Sequence, residues 1–255
     1  MKFFEKVSVV IPVYNENKNI IFLLDELLPI IAKNSGGEVI VVDDCSTDES
    51  AKLISDYTQY KDIPVILLRH AKRFGQSACL LTGIKHSNYD TIITLDGDGQ
   101  NNPSDINNLL KVWNEKQDIR ELLLLIGNRV NRKDTFSKKI ASRFALHIRR
   151  IFLKDNTPDT GCGIKIFSKK MFLSLPYFDH IHRFLPALVK RQGGQIMSIP
   201  VLHRARVAGQ SKYSNWHRLR VGILDLWGVF WLIRRSPFPI RILDEDIINQ
   251  DKEKD

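Results

Sequence analysis

The sequence predicts an α/β fold, a mostly parallel sheet flanked by helices, and three observations carry that expectation. Short β-branched runs in the first half alternate with segments whose apolar residues recur at helical spacing. Each run ends in a polar tip of the kind found beyond the carboxyl ends of parallel strands. The composition is that of a folded domain, with 255 residues, 43% hydrophobic and 26% charged, which excludes a mainly disordered chain. Its 14 Gly follow no period, so a collagen-like chain is excluded. The cysteines Cys45, Cys79 and Cys162 are too few and too far apart for a disulfide-stapled miniprotein and fit a reducing compartment.

Val7 to Val13 (VSVVIPV) reads as a buried strand, ended by Tyr14-Asn15-Glu16. Asn17 to Lys33 follows as a helix with Ile20, Leu23, Leu24, Leu27, Leu28 and Ile31 on one face. The alternation continues through strand Glu38–Val42, helix Asp48–Tyr57, strand Pro64–Leu68 and helix Gly75–His86. Strand Thr91–Leu95, helix Ser104–Glu115 and strand Glu121–Ile126 complete it. Further on, Ser137 to Leu153 forms a basic amphipathic helix with Ile140, Phe144, Ile148 and Ile151/Phe152 as its stripe. Asn215 to Arg235 is more apolar, carries Trp216, Trp227 and Trp231, and has basic residues at both ends. The expected organisation is one main α/β domain over 1–213, including the amphipathic helix at about 137–153. A C-terminal interfacial helix over 214–241 and a frayed charged tail over 242–255 follow it.

The net charge of +9 is unevenly spread. Arg129 to Lys154 holds nine Lys/Arg against one acid, and Arg183 to Arg241 holds eleven against one. The remainder is acidic, so an anionic partner is expected at the second half, although solvated helix faces would give the same count. Nucleic acid fits poorly, because the basic segments carry apolar stripes and no RNA-binding fingerprint. Val221 to Ile233 is too short for a bilayer crossing, which needs ~20 apolar residues, and the N-terminus lacks a signal-peptide cleavage site. The expectation is a cytoplasmic protein held at the cytoplasmic face of a membrane. His147, His203 and His217 have no partner at ligand spacing and are not read as metal ligands.

The strand tips concentrate the chemistry. Asp43-Asp44-Cys45-Ser46-Thr47-Asp48, Asp96-Gly97-Asp98-Gly99-Gln100 and Gly127-Asn128-Arg129 each follow a strand. Asp48 as a helix cap and Ser46-Thr47 as turn residues are the plainer alternatives. Two carboxylates straddling Gly97 suit a hard divalent cation and the phosphates it bridges, and Gln100 adds a carbonyl oxygen.

VSVVIPVYNE, VIVVDDCSTDES, TIITLDGDGQNNP and GNRV stand in the order and spacing of family 2 glycosyltransferases, and the chain resembles that family over roughly residues 7–235. DGDGQ, DTGCGIKIF and RVAGQSKY resemble its polyprenyl-phosphate branch, related to dolichol-phosphate mannosyltransferase. The resemblance implies a GT-A fold, a nucleotide-diphosphate sugar donor, a polyprenyl-phosphate acceptor, inversion, and Mg²⁺ or Mn²⁺ as cofactor. It implies that Pro12, Tyr14 and Glu16 line the nucleotide pocket, with Val42 and Asp44 at base and ribose. Asp96 with Gly97 would face ribose and diphosphate, and Asp98 and Gln100 would hold the metal. Arg129, Arg206 and Lys212 would meet phosphates, and Ser142 with Arg143 would hold the acceptor phosphate. Asp159 stands where relatives that glycosylate hydroxyls place a base; here it would act as base or orient the acceptor arginines.

An ionised phosphate acceptor needs no strong base, and planar arginines suit it. A hydroxyl acceptor on a glycolipid or polysaccharide is the alternative. Two departures stand out: Lys72-Arg73-Phe74-Gly75 replaces a Lys-Asn-x-Gly pattern, and Lys165 replaces a usual Arg. Because the chain ends soon after Arg241, it resembles relatives without membrane spans, reaching lipid by interfacial helices, an anchoring partner protein or a homo-oligomer.

Overall fold

The computed structural model describes residues 5–34, 36–57, 62–130, 149–204 and 215–235, without side chains over 215–221. Strands β1 (Val7–Val13), β2 (Gly37–Asp43), β3 (Val65–Arg69) and β4 (Thr91–Thr94) alternate with helices α1 (Ile20–Asn34), α2 (Ser50–Ser55) and α3 (Gln76–His86). Helix α4 (Asp105–Glu115) leads through a 3₁₀ turn (Gln117–Leu122) to β5 (Leu123–Arg129). Then come β6 (Lys165–Ser168), α5 (Lys169–Ser174), α6 (Leu185–Arg191), β7 (Gln195–Val201) and α7 (Asn215–Arg235).

These strands form one seven-stranded sheet in the order β3-β2-β1-β4-β6-β5-β7. The sheet is mostly parallel as expected; β6 is the exception, running antiparallel to both β4 and β5. Period-two alternation along β1 divides the core. Val7, Val9, Ile11 and Val13 join the layer of α1 and α4, whereas Val10 faces α3. Gly83 makes that second contact possible, because a Cβ there would overlap the Val10 side chain. Phe167, Met171, Phe172, Leu185 and Leu188 extend the second layer, and Val229 brings α7 onto it.

The first four strands and four helices fall within a few residues of their expected bounds. β5 departs: it begins after the 3₁₀ turn and continues to Arg129, because β7 runs beside it and pairs Gly127 with Ile199 and Arg129 with Val201. β6 and β7 had no counterpart in the sequence reading. Ser137 to Leu153 lies outside the described residues except for a helical end at 149–153. No described helix is long and apolar enough to cross a membrane.

Candidate active site

The tips of β1, β2 and β4 meet at one edge of the sheet. The loop after β1 has little structure of its own, and Asn15 takes a left-handed φ of 53°. The loop after β2 holds it in place. Ser46 Oγ accepts from the Asn15 amide at 2.9 Å, Ser50 Oγ from Glu16 at 2.8 Å and Asp48 from Asn17 at 3.2 Å. Asn15 returns the grip by accepting from the Thr47 amide at 2.7 Å. Ser46, Thr47 and Asp48 are thus lacing residues, closer to their plain alternatives than to chemistry.

The turn after β4 presses on β1, since a Cβ on Gly97 would lie 2.9 Å from the Pro12 carbonyl oxygen. Gly99 adopts φ 71°, and the Gln100 amide donates to Asp98 Oδ1 at 3.1 Å. This folds Asp98 and Gln100 back beside Asp96. The Arg204 amide donates to the Gln100 carbonyl, and its guanidinium reaches Glu26 and Asn102, so the chain after β7 ends its described stretch against this turn.

Together these loops enclose a cleft of about 730 Å³. Pro12, Tyr14, Glu16 and Asp44 line one part; Asp96, Gly97, Asp98 and Gln100 the middle; Arg129, Lys165, His182 and Arg183 also face it. Val42 does not line it: it is fully buried, packed with Ile40 against Cys79. Ser142, Arg143, Arg206 and Lys212 lie outside the described residues.

Asp96 accepts from Gln76 Nε2 at 2.8 Å. Burial, and then the charge of Asp98, raise its pKa, while Lys165, Arg129 and a hydrogen bond from Asn101 oppose the rise. Lys165, buried below, donates to the Cys162 carbonyl. Burial lowers its pKa, against the pull of Cys162, Asp96 and Asp159. Gly163 fits this corner because a Cβ would overlap the Asp96 carboxylate. Arg129 grips Asp159 in a bidentate pair, Nε to Oδ2 at 2.6 Å and Nη2 to Oδ1 at 2.8 Å. Burial alone would lower the Arg129 pKa; the Asp159 hydrogen bonds and charge more than offset it and leave it raised. Asp159 therefore sits as the orienting partner of a cleft arginine.

Two donor sets fit a cation differently. Asp96, Asp98 and Gln100 offer only oxygen, the chemistry Mg²⁺ and Mn²⁺ prefer. Asp44, His70 and Cys79 also come within 4.8 Å of one another. There Asp44 already accepts from His70 and from the Phe74 and Gly75 amides, and Thr82 engages the other His70 nitrogen. Burial, then the charge and hydrogen bond of Asp44, raise the Cys79 pKa, and a sulfur donor is not what Mg²⁺ or Mn²⁺ prefers.

Arg73, Gln76, His182 and Arg183 line the cleft without having been read as site residues. Arg73 lies with its guanidinium 4.1 Å over the Tyr14 ring, which gives the Lys72-Arg73-Phe74-Gly75 departure a physical meaning. His182 and Arg183 stand in a mixed stretch, Asp179-His180-Ile181-His182-Arg183, and Gln76 directly after Gly75, and no local pattern singles any of them out.

A parallel-sheet edge of carboxylates facing arginines is the architecture of a GT-A nucleotide-sugar enzyme. Glucosyl-3-phosphoglycerate synthase from Mycobacterium tuberculosis, solved with Mn²⁺, UDP-glucose and glycerol 3-phosphate, superposes with a TM-score of 0.65. The match covers 90% of this chain and 80% of that one at 16% identity. Mannosyl-3-phosphoglycerate synthase from Rubrobacter xylanophilus gives 0.65 over 95% and 79% at 11% identity. Residues 8–175 match glycosyl transferase family 2, and the chain belongs to that family. It is 32% identical to a dodecaprenyl-phosphate galacturonate synthase of Rhizobium johnstonii over 92% of this chain and 69% of the relative. It is also 32% identical to an undecaprenyl-phosphate 4-deoxy-4-formamido-L-arabinose transferase of an Enterobacter species, over 82% of this chain and 63% of the relative. The chain thus spans about two thirds of the length of these relatives.

Proposed function

We propose that this glycosyltransferase moves a sugar from a nucleotide diphosphate to a polyprenyl phosphate, with inversion, at the cytoplasmic face of a membrane. The observation that carries it is the cleft, where oxygen ligands at Asp96, Asp98 and Gln100 share one space with Arg129, Lys165 and Arg183. The names of the relatives point to the same acceptor chemistry.

In this reading Tyr14, under the Arg73 guanidinium, and Asp44 receive the nucleoside, with Pro12 and Glu16 beside them. Asp98 and Gln100 would hold Mg²⁺ or Mn²⁺, and Asp96 would face the ribose and diphosphate. The cation, when bound, neutralises the charge that builds on the departing diphosphate. Arg129, oriented by Asp159, meets a phosphate, with Ser142, Arg143, Arg206 and Lys212 assigned to it from the sequence. The acceptor oxygen is already ionised, so Asp159 is left to hold Arg129 instead of taking a proton.

For α7 the reading is interfacial. Leu226, Val229, Phe230 and Ile233 pack inward, while Ile223, Leu224, Trp227 and Trp231 are 49%, 73%, 58% and 57% exposed. Trp and Arg at the boundary of such a row suit the headgroup layer, and Arg234 and Arg235 close it. Residues 1–213 then form the catalytic unit, 214–241 the interfacial element and 242–255 a tail. An anchoring partner or a second copy would serve the same end.

The test is purified protein with Mn²⁺, a panel of nucleotide sugars, and either undecaprenyl phosphate or undecaprenol. Sugar should appear on undecaprenyl phosphate alone. Transfer to the alcohol at an equal rate would move the protein to the hydroxyl-acceptor alternative.

A further inference from the structure

His182 is left over by the mechanism above, yet it is one of the most constrained side chains of the cleft. It sits in the 3₁₀ turn Ile181–Arg183, which follows a left-handed His180 at φ 64°. The residue is 8% exposed and still lines the cleft. Nδ1 lies 2.8 Å from Ser77 Oγ, itself fully buried in the first turn of α3. The residue before Ser77 is Gln76, which donates to Asp96. One helical turn therefore positions both the Asp96 carboxylate and the His182 imidazole.

Burial, then the charges of Lys165, Arg183 and His180, hold the imidazole well below its ordinary pKa, so it is neutral at pH 7. With Nδ1 engaged by Ser77, Nε2 has no protein partner among the described residues and is left for the cleft. A neutral imidazole presents a donor or an acceptor at Nε2 according to its tautomer, and a hydroxyl matches either. A phosphate matches only the donor, and the cationic side chains of Lys165 and Arg183, which line the same cleft, suit an anion better.

We propose that His182, fixed by Ser77, is a specificity-determining residue that holds a hydroxyl of the transferred sugar. The inference rests on the proposed function, in which the sugar lies just beyond the diphosphate at Asp96 and Asp98. A buried polar group built for a hydroxyl discriminates against ligands that lack it, because the group is then left unpaired.

The test is calorimetric titration of the full chain with Mn²⁺ and UDP, then with UDP-glucose, UDP-galactose, UDP-N-acetylglucosamine and UDP-glucuronic acid. For H182A, the UDP-sugar that wild type binds best should weaken about tenfold, the worth of one neutral hydrogen bond. Its affinity for UDP itself should stay within about twofold, which also reports that the variant folds. S77A should show the same sugar-selective loss at smaller size. Parallel losses for UDP and UDP-sugar, no loss in either variant, or a wild type that gains no affinity from the sugar would each overturn the inference. A wild type that binds none of UDP, GDP and dTDP with Mn²⁺ would strike the proposed function itself, and this inference with it.

Discussion

The part of the cleft formed by Tyr14, Asp44 and Asp98 is made of loops leaving parallel strands, whereas Asp159, Lys165 and His182 reach the cleft by less regular means. In the first region the positions follow from a rule. Each strand of an alternating β/α chain delivers its next residues to the same edge, and the edge is where ligands bind. In the second, Lys165 lies on an antiparallel strand of four residues, and Asp159 stands on a loop preceded by Lys154 and Asn156 at φ 53° and 47°. His182 arrives on a single 3₁₀ turn. A site assembled from both regions combines a frame that topology supplies with contacts that local packing must hold.

Three perturbations sharpen that contrast. The largest effect is expected in the first region: D98A should lower turnover about 10³-fold, about 4 kcal/mol of lost charge stabilisation, with the far-ultraviolet circular dichroism unchanged. Adding chelator to wild type should do the same, and turnover indifferent to both would remove the cation from the mechanism. Next comes the seam between the regions. G163A forces the Asp96 carboxylate aside, and a displacement of about 1 Å costs on the order of 10²-fold in rate. Steady-state assays with wild-type kinetics for G163A would mean that Asp96 need not stay where it is.

The smallest effect belongs to the second region and to stability. His182 is neutral in the fold at a pH where the unfolded chain would protonate it. Below about pH 6.5 the unfolded state binds the extra proton, so stability should fall with falling pH by up to ~1.4 kcal/mol per unit. Asp96, whose folded pKa is raised, pulls the other way, so the comparison is with H182Q. Urea unfolding at pH 5.5 and 7.5 should show a smaller loss in H182Q than in wild type; equal losses would mean that His182 takes up its proton in the fold.

The same contrast explains what could be read beforehand. VSVVIPV, TIITLDGDGQ and the leucines of α1 have periodicities that neighbours do not override, and their loops were placed with them. β6 was missed because it lies outside the strand–helix alternation that located the equally short β4, and β7 because Gln195–Val201 is only partly buried, without clean alternation. The continuation of β5 to Arg129 depended on β7, a partner seventy residues later in the chain that no local pattern announces. Asp159 was located by resemblance, but its pairing with Arg129 needed the loop geometry. His182 and Gln76 were invisible for the same reason: each matters through one tertiary hydrogen bond.

The central claim is that the oxygen ligands after β4 clasp the cation against the donor diphosphate. Crystals soaked with Mn²⁺ and UDP and measured at the manganese absorption edge test it most directly. An anomalous peak within coordination distance of Asp98, shared with the diphosphate, is the predicted result. A peak at Asp44, His70 and Cys79, or UDP bound with no manganese beside Asp98, would contradict it.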